Sequence, residues 1–258
     1  MIPKIIHYVW VNDNPFPDKI KRCLESWRKY LPDYEFVKWD YNKVKNINNP
    51  FHHEAIKVGK LAFAADFIRL YALYHFGGIY LDTDVQVLKS FDDLLENQCF
   101  LGREKWLQIH DDLQEFYPTS HCIGSIQGHS FIKHCLDYYS GRHFIRTEST
   151  NIPENLQLDM TIIPYVLNEI LKLYGYDSRP SQNNKILHLK NGVMVYPYEY
   201  FDCKEIKPES YCKHWCMSSW RSSEVNIINT NKSRWQLRKD IIVRRILNKM
   251  GYITMPKQ

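Results

Sequence analysis

An apolar strand, a helix and a second strand follow one another within the first forty residues, and this order constrains the fold strongly. The run from Lys4 to Val11 is dense in β-branched and aromatic residues, as buried strands are. Asp18 to Tyr30 has its apolar residues at helical spacing, and Tyr34 to Trp39 alternates as a strand does. Strands joined through a helix run parallel. We therefore predict an α/β fold with a largely parallel sheet.

A second helical pattern leads into the most polar stretch of the first half. The pattern runs from Ala55 to His75 and stops at Gly77-Gly78, where a left-handed C-terminal cap is expected. Ile79 to Leu81 then reads as a short buried strand that continues directly into Asp82-Thr83-Asp84. This segment therefore predicts a pair of carboxylates at the end of a buried strand.

The remaining segments are assigned more coarsely. The residue patterns predict a polar loop at Asn42–Pro50, a strand at Phe100–Arg103 and a surface loop at His110–Thr119. They further predict helices at Ser130–Tyr139 and Asp159–Tyr174 and an edge strand at Val193–Tyr200. The last is assigned to an edge because Pro197 cannot donate to a sheet.

Charge and cysteine content exclude several classes of protein. The 258 residues hold 34 Lys+Arg and 29 Asp+Glu, a net charge of +5, without the dense basic stripe of a nucleic-acid binder. The seven cysteines are odd in number and scattered, which disfavours a secreted disulfide framework. No apolar run approaches the ~20 residues of a membrane span, and the N-terminus lacks a signal-peptide pattern. We expect a cytoplasmic protein that needs no nucleic acid.

Asp82 and Asp84 form the sharpest chemical motif. Two residues apart on extended backbone, their carboxylates point the same way, outside the carboxyl end of a strand where α/β sheets bind ligands. Such oxygen ligands suit Mg²⁺ or Mn²⁺, which can in turn hold a diphosphate. The chain has neither a P-loop nor a G-x-G-x-x-G fingerprint, so phosphate binding would go through a metal. The alternative is a polar turn.

Asp66 and Arg69 are charged residues within an otherwise apolar helix. They lie three residues apart and so share a face. Burying an ion pair costs desolvation. The pair is therefore either a structural clasp or a handle for substrate, since the guanidinium suits phosphate and the carboxylate suits sugar hydroxyls.

His214 is the candidate third metal ligand, because neutral imidazole complements two carboxylates. A competing interpretation is a structural zinc site made of Cys203, Cys212, His214 and Cys216. The spacing lacks a C-x-x-C knuckle, which disfavours zinc. A third alternative is that these residues are purely structural.

Four stretches together resemble the DXD-containing glycosyltransferases of family 32. They are IPKIIHYVW at 2–10, SWRKYLPDYEFVKWD at 26–40, KLAFAADFIRLYALYHFGGIYLDTDV at 60–85, and the HW…SW ending at 214–220. That family includes bacterial capsule-type transferases and yeast initiating mannosyltransferases, and is related to clostridial glucosylating toxins. The resemblance spans residues 2 to 220 in order.

The resemblance implies a GT-A-type α/β fold and a retaining, metal-dependent transfer from a nucleotide sugar. It implies that Asp84 binds Mn²⁺ or Mg²⁺, that Asp82 touches metal, ribose or sugar, and that Asp66 and Arg69 contact donor sugar and phosphate. It further implies metal ligation by His214, stacking of Trp10 near the base, and loop closure by Ser218 and Trp220. From the resemblance we expect UDP-hexose as the donor, with GDP-mannose as the alternative. We likewise expect a saccharide acceptor, lipid-linked or free, in capsular polysaccharide or glycolipid synthesis.

The C-terminal segment suggests a second role. We divide the chain into a catalytic domain at 1–230 and a helical tail at 231–258. Ser233 to Lys249 combines six basic residues with an apolar face that includes Trp235. Basic amphipathic helices of this kind bind anionic membrane surfaces. The segment therefore predicts peripheral attachment at the inner face of a membrane, or alternatively a helix packed on the core.

Two other functions fit parts of the sequence. A haloacid-dehalogenase-type phosphatase also uses a D-x-D-x motif, but there the motif opens the domain, whereas here eighty residues precede it. A nucleotide-sugar-binding relative without turnover is the second alternative. Metal-dependent donor hydrolysis distinguishes an enzyme from such a binder.

Overall fold

The described chain is built on nine strands and seven α-helices. The computed structural model describes residues 1–12, 14–110, 113–147 and 157–217. In chain order the strands are β1 Ile5–Val9, β2 Glu35–Trp39, β3 Gly78–Leu81, β4 Val85–Val87, β5 Cys99–His110, β6 Leu113–Ser125, β7 Leu187–His188, β8 Val193–Tyr196 and β9 Cys212–His214. The helices are α1 Asp18–Tyr30, α2 Tyr41–Val44, α3 Pro50–Lys57, α4 Leu61–Phe76, α5 Ser130–Asp137, α6 Ile163–Leu173 and α7 Tyr198–Phe201.

Seven of these strands form one mixed sheet in the order β2-β1-β3-β6-β5-β8-β7. β6 and β7 run antiparallel to their neighbours, so the other five strands share one direction. β4 and β9 pair separately as an antiparallel ribbon. The predicted α/β architecture, a mixed and mostly parallel sheet flanked by helices, is confirmed.

Helices cover both faces of this sheet. On one face α3, α4, α5 and α6 contribute to a core that contains Phe67, Leu70 and Leu167. On the other face α1 and the β4–β9 ribbon share a second core around Trp27. The Trp27 indole N–H donates to the Val85 carbonyl at 2.7 Å. The ribbon that follows Asp82-Thr83-Asp84 is therefore anchored to α1.

The long helix predicted over Ala55–His75 is two helices. Gly59 has φ of 73°, a conformation that ends α3 before α4 begins. Gly77, with φ of 66°, ends α4 as predicted. The predicted polar loop over Asn42–Pro50 also contains part of α2.

Three other predicted boundaries are wrong. In the predicted surface loop at His110–Thr119, His110 belongs to β5 and Leu113–Thr119 to β6, because antiparallel pairing satisfies the polar backbone there. The strand at Val193–Tyr200 ends at Tyr196, and it lies between β5 and β7 rather than at an edge, since Pro197 falls outside the ladder. The helix at Asp159–Tyr174 begins only at Ile163, because the Asp159 carboxylate accepts the Thr161 hydroxyl and binds Arg142 instead.

Gly124 is required where β6 crosses the centre of the sheet. A Cβ at this position would overlap the ring of buried Phe100 on β5. We expect Gly124→Ala to lower the free energy of unfolding by about 1–3 kcal/mol, as overpacking does. Urea unfolding measures the loss, and adding Phe100→Leu should recover part of it. An unchanged urea midpoint in Gly124→Ala would contradict this packing.

Candidate active site

Asp82 and Asp84 lie in a tight turn at the carboxyl end of β3. The Asp82 N–H donates to the carbonyl of His121 on neighbouring β6 at 2.9 Å. The Val85 N–H then donates back to the Asp82 carbonyl at 3.0 Å, which closes the turn. The sequence analysis assumed an extended backbone from Asp82 to Asp84, but the backbone turns here. Both carboxylates nevertheless face the same neighbour, His214.

The β4–β9 ribbon brings His214 to this turn. His214 is paired with Val85 in the ribbon, directly after Asp84 in the chain. Its Nε2 lies 3.2 Å from Asp84 Oδ1. Asp84 Oδ2 accepts the Met217 N–H at 2.8 Å. The Asp84 backbone carbonyl also accepts the Trp215 N–H at 3.1 Å. Asp84 therefore ties the segment after β9 to the end of β3 through both its side chain and its backbone.

The three side chains form a set with metal-binding geometry. Ligand atoms of Asp82, Asp84 and His214 all lie within 4.8 Å of one another. Two carboxylates and one imidazole fit Mn²⁺ or Mg²⁺, which prefer oxygen with a minority of nitrogen ligands. Among the described residues, no such cluster includes a cysteine. The zinc set of Cys203, Cys212, His214 and Cys216 is therefore wrong.

Opposite charges stabilise each other within this set. Burial disfavours the ionised form of Asp84, but hydrogen bonds from His214 and Met217 outweigh it and lower the Asp84 pKa. Burial likewise disfavours protonated His214, yet Asp84, Cys216 and Asp82 together raise its pKa well above the ordinary value. A divalent cation would replace the proton that His214 carries, since metal binding requires the neutral imidazole.

A buried ion pair on α4 flanks the turn. Arg69 Nη2 donates to Asp66 Oδ1 at 2.7 Å, and Arg69 Nη1 donates to the Ser120 carbonyl at 2.7 Å. Nη1 also lies 3.5 Å from Asp82 Oδ1. The Arg69 side chain is only 5% exposed. Arg69 thus links α4, β6 and the turn, and its charge is placed next to Asp82.

Tyr80 completes this arrangement from β3. Its hydroxyl donates to Asp82 Oδ1 at 2.8 Å, and its ring lies beneath the Arg69 guanidinium at 4.6 Å. Burial raises the pKa of Asp66 to about 7, with Arg69 opposing and Asp82 adding to the rise. Burial therefore disfavours the ionised form of Asp66, and the Arg69 guanidinium counteracts this effect.

Of the other predicted site residues, only Trp10 lies among the described residues. Trp10 follows β1, which neighbours β3 in parallel, so it lies at the same edge of the sheet as Asp82. Its indole N–H donates to the Asn14 carbonyl at 2.8 Å, and its ring packs on Phe16. Ser218, Trp220 and the tail at 233–249 lie outside the described residues.

Sequence reasoning missed several residues that surround the turn. His121 stacks on His214 with ring centroids 4.2 Å apart, and Tyr80 bonds Asp82. Burial and nearby Asp202 raise the pKa of Glu104 to about 8. Tyr80 was visible in the run IYLDTD. His121 and Glu104 gave no motif and are brought close only by the pairing of β5 with β6.

Comparison with known proteins shows similarity over the part of the chain that holds this site. Residues 17–101 match the family model described as glycosyltransferase sugar-binding region containing DXD motif. Inositol phosphoceramide mannosyltransferase 1 of Schizosaccharomyces pombe is 30% identical over 111 residues, 39% of this chain and 33% of that protein. Mannosyl phosphorylinositol ceramide synthase CSH1 of Saccharomyces cerevisiae is 24% identical over 238 residues, 89% of this chain and 56% of that protein.

A looser likeness exists among solved structures. The PaToxG glycosyltransferase matches with a TM-score of 0.43 and 20% identity, covering 67% of this chain and 69% of that one. The chain spans about a third of the length of the fission yeast relatives it matches. The matched region contains Asp66, Arg69, Asp82 and Asp84. Residues 17–101 therefore resemble the sugar-binding region of DXD-containing glycosyltransferases.

Proposed function

We propose that this chain is a retaining, metal-dependent glycosyltransferase that moves a hexose from a nucleotide sugar to a hydroxyl of a saccharide or glycolipid. The observation that carries the proposal is the convergence of Asp82, Asp84 and His214 next to the Asp66–Arg69 pair. Carboxylates, an imidazole and a guanidinium at one sheet edge match the needs of a bound sugar diphosphate.

Asp66 and Arg69 would act on the donor directly. Asp66 is fixed by Arg69 and lies on the helix face next to the turn, so its carboxyl can accept hydrogen bonds from donor-sugar hydroxyls. Arg69 keeps its charge when buried and lies 3.5 Å from Asp82, where it can stabilise the negative charge of a departing diphosphate. The Ser120 carbonyl and Tyr80 ring hold that guanidinium in place beforehand.

A divalent cation would be held by Asp82, Asp84 and His214. Its chemistry would be Lewis-acid assistance, which offsets charge on the leaving nucleoside diphosphate. Trp10 would pack near the base, and Ser218 with Trp220 would close over the diphosphate. The configuration at the anomeric carbon would be retained, because the acceptor would attack the same face of the sugar that the nucleoside diphosphate leaves.

The names of the relatives bear on the donor. UDP-hexose is the donor that the resemblance favours, but the curated relatives are named as mannosyltransferases. This supports GDP-mannose as the first donor to test. Their acceptor, inositol phosphoceramide, supports a hydroxylated lipid headgroup as the acceptor of this chain too.

Attachment to a membrane is a separate part of the proposal. None of the helices in the described part of the chain is long and apolar enough to cross a membrane. A glycolipid acceptor would favour peripheral binding through the basic segment 233–249, which lies outside the described residues. We retain a cytoplasmic location at the inner membrane face as part of this proposal.

A donor panel tests the proposed reaction. GDP-mannose and UDP-hexoses are incubated with the protein and Mn²⁺, and release of nucleoside diphosphate is followed. We expect hydrolysis of one donor, loss of hydrolysis with EDTA, and recovery when excess Mn²⁺ is restored, because the cation stabilises the leaving group. Hydrolysis that is unaffected by EDTA would contradict metal dependence.

A binding measurement completes the panel if turnover needs the acceptor. Calorimetry with each donor and Mn²⁺ then reports binding directly. Metal-dependent binding without hydrolysis supports the donor site and directs the search to the acceptor. Absence of both binding and hydrolysis across the panel would overturn the proposed function.

A further inference from the structure

A buried histidine outside the metal set is stacked on one of its members. His121 is 4% exposed and lies on β6, two residues from Thr119. Its ring lies 4.2 Å from the ring of His214, centroid to centroid, at an interplanar angle of 27°. Because His214 sits on the separate β4–β9 ribbon, this stack joins the ribbon to the main sheet.

Hydrogen bonds fix the orientation of the His121 ring. Its Nε2 lies 2.9 Å from the carbonyl of Phe201, which can only accept, so Nε2 carries the proton. The Nδ1 is then left as the acceptor for the Thr119 hydroxyl. Both ring nitrogens are used, and the ring cannot rotate without losing a bond. The face that it presents to His214 is therefore rigid.

A second cation site is the competing interpretation of this cluster. Ligand atoms of His121, Asp202 and His214 also lie within 4.8 Å of one another. However, Asp202 is paired with the Lys105 ammonium at 3.0 Å, so its carboxylate already has a cationic partner. The nitrogens of His121 are engaged as well. The cluster is better described as a support for His214 than as a site of its own.

We propose that His121 is a positioning residue that holds the imidazole of His214 towards Asp84 and so raises the affinity of the Asp82–Asp84–His214 set for a divalent cation. This inference rests on the proposed function, since it assumes that the set binds metal. Groups that orient metal ligands typically account for a 10–100-fold factor in affinity. His121 acts on the face of the His214 ring, while Asp84 acts at its Nε2.

The test measures Mn²⁺ binding to the protein alone, by the loss of the free-ion electron paramagnetic resonance signal. We expect His121→Ala to weaken binding about tenfold or more. His121→Phe keeps an aromatic ring but loses both hydrogen bonds, so its Mn²⁺ affinity should fall between that of His121→Ala and that of the unmodified protein. This variant also keeps the test available if His121→Ala does not fold.

His129→Ala is the matched control. His129 is equally buried and bonds a backbone carbonyl, that of Asn191 at 2.9 Å. It follows β6, and therefore lies at the opposite edge of the sheet from Asp82. We expect its removal to lower stability while Mn²⁺ affinity stays as in the unmodified protein. Equal loss of affinity in both alanine variants would overturn a specific role of His121.

A double-mutant cycle separates positioning from general loss of structure. In a His214→Ala background, residual Mn²⁺ binds to the two carboxylates, and His121→Ala should then change affinity by less than twofold. An effect of the same size in both backgrounds would overturn the inference. If Asp84→Asn lowers affinity and His121→Ala does not, the inference fails while the proposed function stands. If the unmodified protein binds no Mn²⁺ at all, both fail together.

Discussion

Replacing Asp84 with asparagine should lower donor hydrolysis about 1000-fold, because the loss of a metal ligand removes several kcal/mol of transition-state stabilisation. Asparagine keeps the size of the side chain and an oxygen that can accept the Met217 N–H, now 2.8 Å from Asp84 Oδ2. The change therefore removes charge with little change of shape. Initial rates of nucleoside diphosphate release, at saturating Mn²⁺, measure the effect.

Asp137→Asn provides the control for this variant. Asp137 is an exposed carboxylate at the end of α5, paired with Lys133 on the same helix. Its neutralisation should leave the rate within twofold of the unmodified protein, since surface pairs contribute little. A rate for Asp84→Asn close to that of the control would contradict the assignment of Asp84.

Replacing Arg69 with methionine should abolish donor hydrolysis and also lower the free energy of unfolding by about 3–5 kcal/mol. The stability loss arises because Asp66, with its side chain 11% exposed, would be left without its cationic partner. The rate loss arises because the guanidinium next to Asp82 would be gone. Urea unfolding and initial rates measure the two effects on the same preparation.

The double variant Asp66→Asn/Arg69→Met separates these effects. Removing both charges relieves the unpaired carboxylate, so at least half of the lost stability should return. Hydrolysis should stay at the level of Arg69→Met, because the donor contacts are still missing. Recovery of activity together with stability would show that the pair is only a structural clasp.

The residues adjacent in sequence were the predictable part of this site. Asp82 and Asp84 follow a buried strand, and Asp66 and Arg69 share a helix face, so local spacing alone indicated both pairs. The strand–helix–strand order at the N-terminus predicted the parallel part of the sheet. Each of these inferences depends on interactions within one element or between neighbours along the chain.

The contacts between distant segments could not be predicted in this way. His214 reaches Asp84 only because β9 pairs with β4, across more than a hundred residues. His121 was missed because the polar stretch before it was assigned to a loop, whereas it pairs with β5. The hydrophobic pattern of one strand shows which of its faces is buried, but it does not show which distant strand pairs with it.

Mn²⁺ titration of the unmodified protein and of Asp84→Asn, followed by the electron paramagnetic resonance of the free ion, tests the central claim most directly. The account predicts one Mn²⁺ bound per chain, weakened at least tenfold in the variant, because Asp84 and its partners Asp82 and His214 converge within 4.8 Å. Equal binding by the two proteins would contradict it, since the cation would then lie elsewhere.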